Sequence, residues 1–292
     1  MAIKHGWQID TVSKSDLVTF EMCGEKYRRQ KLLGEYPTGS WAMVRGIAVH
    51  KAVEVNSAAK IENGEDLPIQ TLYDAFDTSW AEEAAKREEK VRATGYDPDK
   101  VGVEPGEETR PEDLKTEGRQ YVKIFREIAA PRLRPTATEV NFEVPLEIEG
   151  RKIKLRGIID YMGHEIFSWE RGETAEGVAV LDFKTTDKKP KNEAWKSFEL
   201  IVYALAVESI TGQLPTQVGL VHLVNQKKEV SASLDSFRPT KEHVERLKAR
   251  IGAFFKSVHA EAFHPATQTF GSWWCSPKFC GFWESCKLRP KE

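Results

Sequence analysis

The chain has 292 residues, enough for one large or two ordinary domains with a full core. Hydrophobic residues make up 40% and charged residues 30%, a globular composition, and the longest apolar run, Leu200 to Val207, is far too short to span a bilayer, so membrane insertion is excluded. A net charge of -2 excludes a generally basic nucleic-acid binder; contact with phosphates has to come from local basic patches or bound cations.

The opening residues, MAIKHGWQIDTVSKSD, contain neither an apolar signal core nor a small-residue cleavage site, which predicts a cytoplasmic location and reduced thiols. Ser13, Ser15 or Asp16 then caps a short helix through Leu17, Val18 and Phe20, leading into Cys23 and the basic stretch Lys26 to Lys31. A second helix is predicted to start near Arg45-Gly46 and run through Ile47, Val49, Val53 and Val55, with His50 and Glu54 on one face. Leu72, Phe76 and Trp80 recur at helical spacing, and the charge run Glu82 to Arg92 reads as a solvated helix face. Residues 94 to 111, with three Gly and three Pro, read as a loop, and Leu114, Tyr121, Phe125 and Ile128 resume a helical stripe until Pro131.

Beyond Pro131 the period changes from 3.6 to 2. Val140, Phe142, Val144, Leu146 and Ile148 alternate with polar residues, Glu149-Gly150 turns, and Ile153 to Asp160 forms the return strand of a hairpin, with Asp160 at its end. The run Val178 to Lys184 reads as a buried central strand. Asn192 to Thr211 reads as a helix, Val218 to Val224 and Glu229 to Leu234 as paired strands, and Lys241 to His259 as a last helix. This order predicts one elaborated α/β domain with a mixed sheet.

The chemistry concentrates on Asp160, Asp182 and Lys184. Residues two apart on a strand share a face, so Asp182 and Lys184 project together while Phe183 points away. An Asp-x-Lys pair is ordinarily a surface ion pair. At the end of the apolar strand VAVLDFK, with Asp160 on a neighbouring strand, it instead offers hard oxygen ligands for Mg²⁺ or Mn²⁺ and a cation beside the bound water, the constellation of phosphodiester hydrolysis. His50 reads as a core histidine or a ligand, and Glu139 as a solvated edge residue. Four cysteines, one at Cys23 and three in the last eighteen residues, read as metal or cluster ligands.

In order along the chain, SKSDLVTFEMC (13–23), RGIAVH (45–50), TEVNFEV (138–144), LRGIIDY (155–161), VLDFKTT (180–186), ELIVYALAV (199–207) and the terminal cysteines resemble the motifs of RecB-type PD-(D/E)XK nucleases. The resemblance implies a restriction-endonuclease-like core, a central mixed β-sheet flanked by helices. About residues 60–135 would form a helical insertion, about 136–235 the catalytic sheet, and Cys23 with 270–292 a cluster region joining the termini. It implies metal-binding acids at Asp160 and Asp182, a catalytic lysine at Lys184, a metal-ligating His50, a metal-facing Phe183 carbonyl and an outer acidic residue at Glu139. The family's Gln-x-x-x-Tyr, which positions DNA and the active site, is replaced by Glu199 and Tyr203, and the added charge opposes contact with a phosphate.

Within the same superfamily, the iron-sulfur branch, including AddB nuclease domains and CRISPR-adaptation nucleases, places one cysteine before the core and three after it. Cys23, Cys275, Cys280 and Cys286 repeat that arrangement, which implies a 4Fe-4S cluster that staples the chain ends; a zinc ion held by the same four thiolates is the alternative. Trp273, Trp274, Phe279, Phe282 and Trp283 read as a hydrophobic wall around it rather than a base-stacking platform. Lys188 and Lys189, with Lys191 and Lys196, are candidate contacts to a DNA backbone. The function implied is a metal-dependent deoxyribonuclease, an exonuclease on single-stranded DNA ends working with a helicase or recombination partner. The alternatives are a DNA-end-binding scaffold and a restriction-type endonuclease.

Overall fold

A computed structural model describes residues 6–35, 40–93, 110–227, 229–266 and 273–290. A short strand, β1 (Thr11–Ser13), runs straight into α1 (Lys14–Met22). Of the three candidate caps Ser13 is the one used: its hydroxyl accepts from the Asp16 amide at 3.2 Å, while the Asp16 carboxylate accepts from the Ser13 amide at 2.9 Å. Cys23 ends α1 and caps α2 (Gly24–Tyr27).

Next come α3 (Trp41–Asn63), α4 (Ile69–Ala93) and α5 (Pro111–Ile124). α3 begins earlier than Arg45-Gly46, because Ser40 caps it by accepting from the Met43 amide, and it ends on the left-handed Gly64. The predicted loop at 94 to 111 falls almost entirely outside the described residues. Trp41 stacks on Trp80 at 5.8 Å, and Leu72, Phe76, Tyr121 and Val122 join them in a core shared with the sheet.

The hairpin is observed as β2 (Pro135–Ile148) and β3 (Arg151–Ser168), followed by β4 (Glu173–Thr186), α6 (Phe198–Thr211), β5 (Gln217–Asn225), β6 (Val230–Phe237) and α7 (Lys241–His259). α6 starts at Phe198 rather than Asn192. The segment before it is drawn off into a short 3-10 turn, where the Ala194 amide donates to Asp235 at 2.7 Å. Residues Leu200 to Val207 are buried all round, which is why this run is so apolar. Among the described residues no helix is long and apolar enough to cross a membrane.

The sheet order is β1-β3-β4-β5-β6, with β2 also on β3. β1 with β3 and β4 with β5 are parallel, the other pairs antiparallel, so the sheet is mixed. α1, α6 and α7 fill one core with Leu155, Val180 and Val218; α3, α4 and α5 fill the other with Tyr161, Leu181, Phe183 and Val221. A central mixed sheet flanked by helices is the predicted architecture.

The chain ends meet. The Glu25 amide donates to the His264 carbonyl at 3.1 Å, Trp274 Nε1 to the Met22 carbonyl at 3.0 Å, and Arg29 to Ser285 at 2.8 Å. Gly24 permits this approach, since a Cβ there would fall 2.9 Å from the His264 amide nitrogen.

Candidate active site

The pairing of β3 sets the place. Tyr161 opposite Leu181 is the β3–β4 pair nearest this point; from Asp182 onward β4 continues along β5 and leaves β3. β1 pairs with β3 up to Ser13 opposite Arg156, on the edge away from β2. Between those two strands an opening is left, and Asp160 lies at it. Asp182 stands on one flank and Lys14, the first residue of α1, on the other. Asp160 therefore sits inside the long β3 rather than at its end, and the parting of strands makes the opening that a strand end was expected to supply.

Charged groups converge there. Lys184 Nζ lies 2.7 Å from Asp182 Oδ2 and donates to Glu199 Oε2 at 3.1 Å. Lys14 Nζ lies 3.8 Å from Glu199 Oε1 and 4.0 Å from Asp182 Oδ1, and it donates to the Tyr203 hydroxyl. From the layer beyond the opposite face, His50 on α3 places Nδ1 3.3 Å from Asp160 Oδ2 and Nε2 2.8 Å from the Phe183 carbonyl. Both neighbours are acceptors, so the ring serves them best as an imidazolium with two N–H donors. The Phe183 ring is buried below, edge-on to Phe125 and Tyr161.

The carboxylates are not equivalent. Asp182 is 2% exposed, and burial pushes its carboxyl above the usual range despite Lys184 and Lys14. Burial works the same way on Asp160, but the hydrogen bond and charge of His50, helped by Lys14, outweigh it and hold Asp160 below that range. Glu199 is likewise lowered, burial being overcome by Lys184 and Lys14. Burial alone would lower the pKa of His50 and Lys184; Asp160 raises the first, and Asp182 with Glu199 raises the second. Glu139 lies in β2 beside Asp160, with Thr138 donating to the Asp160 carbonyl at 2.8 Å. Burial and the charges of Asp160 and Glu54 raise its carboxyl, and its φ of 50° is a left-handed strain found at functional positions. It is no plain solvated edge residue.

A cleft of about 1140 Å³ opens over these groups. Asp160, Asp182, Lys184 and Glu199 line one side; Met43, Ile47 and His50 of α3 with Asp74, Glu82 and Glu83 of α4 line the other.

The family model of the PD-(D/E)XK nuclease superfamily matches residues 11–287, nearly the whole chain. The chain belongs to the PD-(D/E)XK nuclease superfamily. No curated protein sequence matches it. Two solved structures are similar to it at 12% identity: SSO0001, with a TM-score of 0.42 over 98% of this chain and 90% of that one, and a candidate exonuclease from Eubacterium rectale, with 0.49 over 97% and 90%.

PD-(D/E)XK nucleases use Mg²⁺ or Mn²⁺, and the donor chemistry here suits such an ion: two carboxylates, an imidazole and a backbone carbonyl. Asp182 Oδ2 is buried with ionic compensation from Lys184 but no hydrogen bond of proper geometry, an oxygen that a cation would satisfy. As they stand, no three His, Cys, Asp or Glu side chains among the described residues are arranged to hold a metal ion. Lys14, Lys184 and His50 bring positive charge to the same two carboxylates.

The sequence located His50, Asp160, Asp182, Phe183, Lys184, Glu199, Tyr203 and Glu139, and the fold brings all eight together. It missed Lys14, which carried no signal beyond its place among the serines of SKSD. Lys188 and Lys189 are exposed on the loop after β4 and do not line the cleft. The basic stretch at 26 to 31 is no open patch either. Arg28 pairs with Glu25, Arg29 with Glu35 and Lys31 with Asp16, so acids close in sequence and in the fold neutralise three of its four cations.

All four cysteines are free thiols. Cys275 is raised by burial and then by the charges of Cys280, Cys23 and Cys286, so the four lie within electrostatic reach of one another. They do not form a metal-holding group among the described residues. Of the aromatics beside them, Phe282 is buried under Arg29 at 4.3 Å, whereas Trp273 and Phe279 are exposed and meet edge-on at 4.7 Å. The expected hydrophobic wall is thus only partly enclosed.

Proposed function

We propose that this chain is a metal-dependent deoxyribonuclease, an exonuclease that shortens single-stranded DNA from its ends in repair, recombination, phage replication or CRISPR adaptation. One observation carries the hydrolytic part: His50, Asp160, Asp182, the Phe183 carbonyl and Lys184 meet at the floor of one cleft. Asp160, Asp182, His50 and the Phe183 carbonyl would hold Mg²⁺ or Mn²⁺, which when bound lowers the pKa of a water and stabilises charge on phosphate oxygens. Lys184, tied to Asp182 and Glu199, is held where it can orient the nucleophile or meet developing negative charge. Glu139 on β2 adds a further carboxylate beside Asp160, and a bound cation would offset the repulsion between the two.

The cleft wall favours a single strand. Met43 and Ile47 are exposed apolar groups that a base can touch, while Asp74, Glu82 and Glu83 on α4 repel a second phosphate backbone. Lys188 and Lys189 would meet the strand outside the cleft. We assign the four cysteines to a 4Fe-4S cluster that joins the chain ends, supported by their mutual influence and the contacts between residues 22–29 and 264–285. The same thiols suit zinc as the second choice. A cytoplasmic enzyme with a helicase or recombination partner fits this reading.

The test is digestion of end-labelled single strands, duplexes and closed circles with Mn²⁺ or Mg²⁺. Linear single strands should shorten progressively while circles survive. Cut circles would replace the exonuclease reading by a restriction-type endonuclease, and tight binding without cleavage would replace it by a scaffold.

A further inference from the structure

Two carboxylates and two ammonium groups form an alternating square beside Asp160. Asp182 gives Oδ2 to Lys184 and turns Oδ1 toward Lys14; Glu199 gives Oε2 to Lys184 and turns Oε1 toward Lys14. The two lysines are held differently. Lys184 sits within 2.7 and 3.1 Å of its partners, whereas Lys14 stands 4.0 and 3.8 Å from the same two groups, outside hydrogen-bond range. Among the described residues Lys14 Nζ makes one hydrogen bond, to the Tyr203 hydroxyl, and it lies 4.5 Å from the centre of that ring. An ammonium has three N–H donors, so two remain for another acceptor, and Lys14 lines the same cleft as Asp160 and Lys184.

We infer that Lys14 is a second substrate-binding cation, which donates to a phosphate oxygen of the DNA strand beside the metal centre while Tyr203 and Glu199 hold it in place. This rests on the nuclease reading above. The assignment also gives Glu199 a role. A carboxylate facing a DNA backbone would repel it, but this one is spanned by two ammonium groups that a phosphate can share. A bound divalent ion would satisfy Asp182, leaving Lys14, still held by Tyr203 and Glu199, to give its remaining donors to the phosphate.

The experiment measures binding of a dye-labelled single-stranded oligonucleotide to the full chain in EDTA, so that cleavage does not compete, across a salt series. Lys14→Met should weaken binding about tenfold, the low end for a hydrogen bond to a charged group at a partly exposed site. The slope of log affinity against log salt should fall by about 0.7, one phosphate contact on a single strand. Lys14→Arg should keep the wild-type slope. Glu199→Gln should tighten binding, and that gain should vanish in the Lys14→Met background. Thermal melts show whether each variant is folded. Lys14→Met with wild-type affinity and slope overturns the assignment, as does Lys14→Arg weakened as far as Lys14→Met with both slopes unchanged, which would make Lys14 a packing partner of Tyr203. Wild-type protein that neither binds nor cuts DNA removes the nuclease reading and this assignment together. Wild type that binds and cuts, with Lys14→Met indistinguishable from it, removes the assignment alone.

Discussion

Replacing Lys184 by Met removes the tightest cation from a buried acid while keeping most of the side chain's volume. At 2.7 Å from Asp182 and 3.1 Å from Glu199, the two contacts lie within 0.4 Å of each other in length. Each has a Coulomb energy of about 1.5 to 6 kcal/mol between water-like and protein-surface dielectrics. Lys184 is 41% exposed, so screening places the real contribution near the lower end. Lys14 remains as a weaker substitute at 4.0 and 3.8 Å. The metal-free variant should therefore lose about 2 kcal/mol, a fall of about 4 °C in melting temperature. Mn²⁺ should return most of that fall, because the ion supplies the charge that Asp182 has lost. Cleavage should drop by about 100-fold or more even with saturating metal, the loss expected when one transition-state donor is removed. Melting curves with and without Mn²⁺, run beside single-turnover cleavage, check both halves. A variant that cuts within about threefold of wild type, or that melts higher without metal, refutes the role given to Lys184.

Asp182→Asn should separate stability from activity. Burial raises the Asp182 carboxyl in the folded state, so its charged form costs native stability once pH rises through that raised value, and the amide removes this penalty. At neutral pH the variant should melt no lower than wild type yet fail to bind Mn²⁺ or cut, as calorimetry and gel assays would show. His50 is held above its ordinary pKa by Asp160, and a metal ligand must be neutral. Ion affinity should therefore rise with pH through that raised value and release a proton on binding; titration calorimetry in buffers of different ionisation enthalpy reads it, and His50→Gln should remove this step and leave only that of the Asp182 carboxyl. Protein purified without oxygen should be brown and carry about four irons, with Cys280→Ala bleaching it and lowering its melting temperature. Colourless protein with one zinc per chain would overturn the iron assignment.

What the sequence could show was whatever local pattern encodes. The alternation from Val140 to Ile148 with the Glu149-Gly150 turn marks the hairpin, and VAVLDFK marks a central strand whose last residues are polar for a reason. α7 reads correctly to the residue because capping, periodicity and the chain turn agree. Lys14 was hidden because its position depends on β1 lying parallel to β3, a pairing between residues more than 140 apart that three-residue β1 does not announce. The parting of β3 from β4 at Asp182 is invisible for the same reason. Local competition explains the shifted helix starts: Ser40 caps α3 before the Arg45-Gly46 signal, and Asp235 captures Ala194 before α6 can begin. The largely neutralised basic stretch shows that composition counts charges without pairing them.

Metal-dependent DNA hydrolysis at the opening between β1, β3 and β4 is tested most directly by comparing wild type with Asp160→Asn and Asp182→Asn on a labelled single strand, titrating Mn²⁺ from zero. Wild-type cleavage should appear only as the ion is added and saturate with it, while both variants stay folded and inactive. Cleavage in EDTA, or cleavage by either folded variant at the wild-type rate, would contradict the assignment of hydrolysis to this centre.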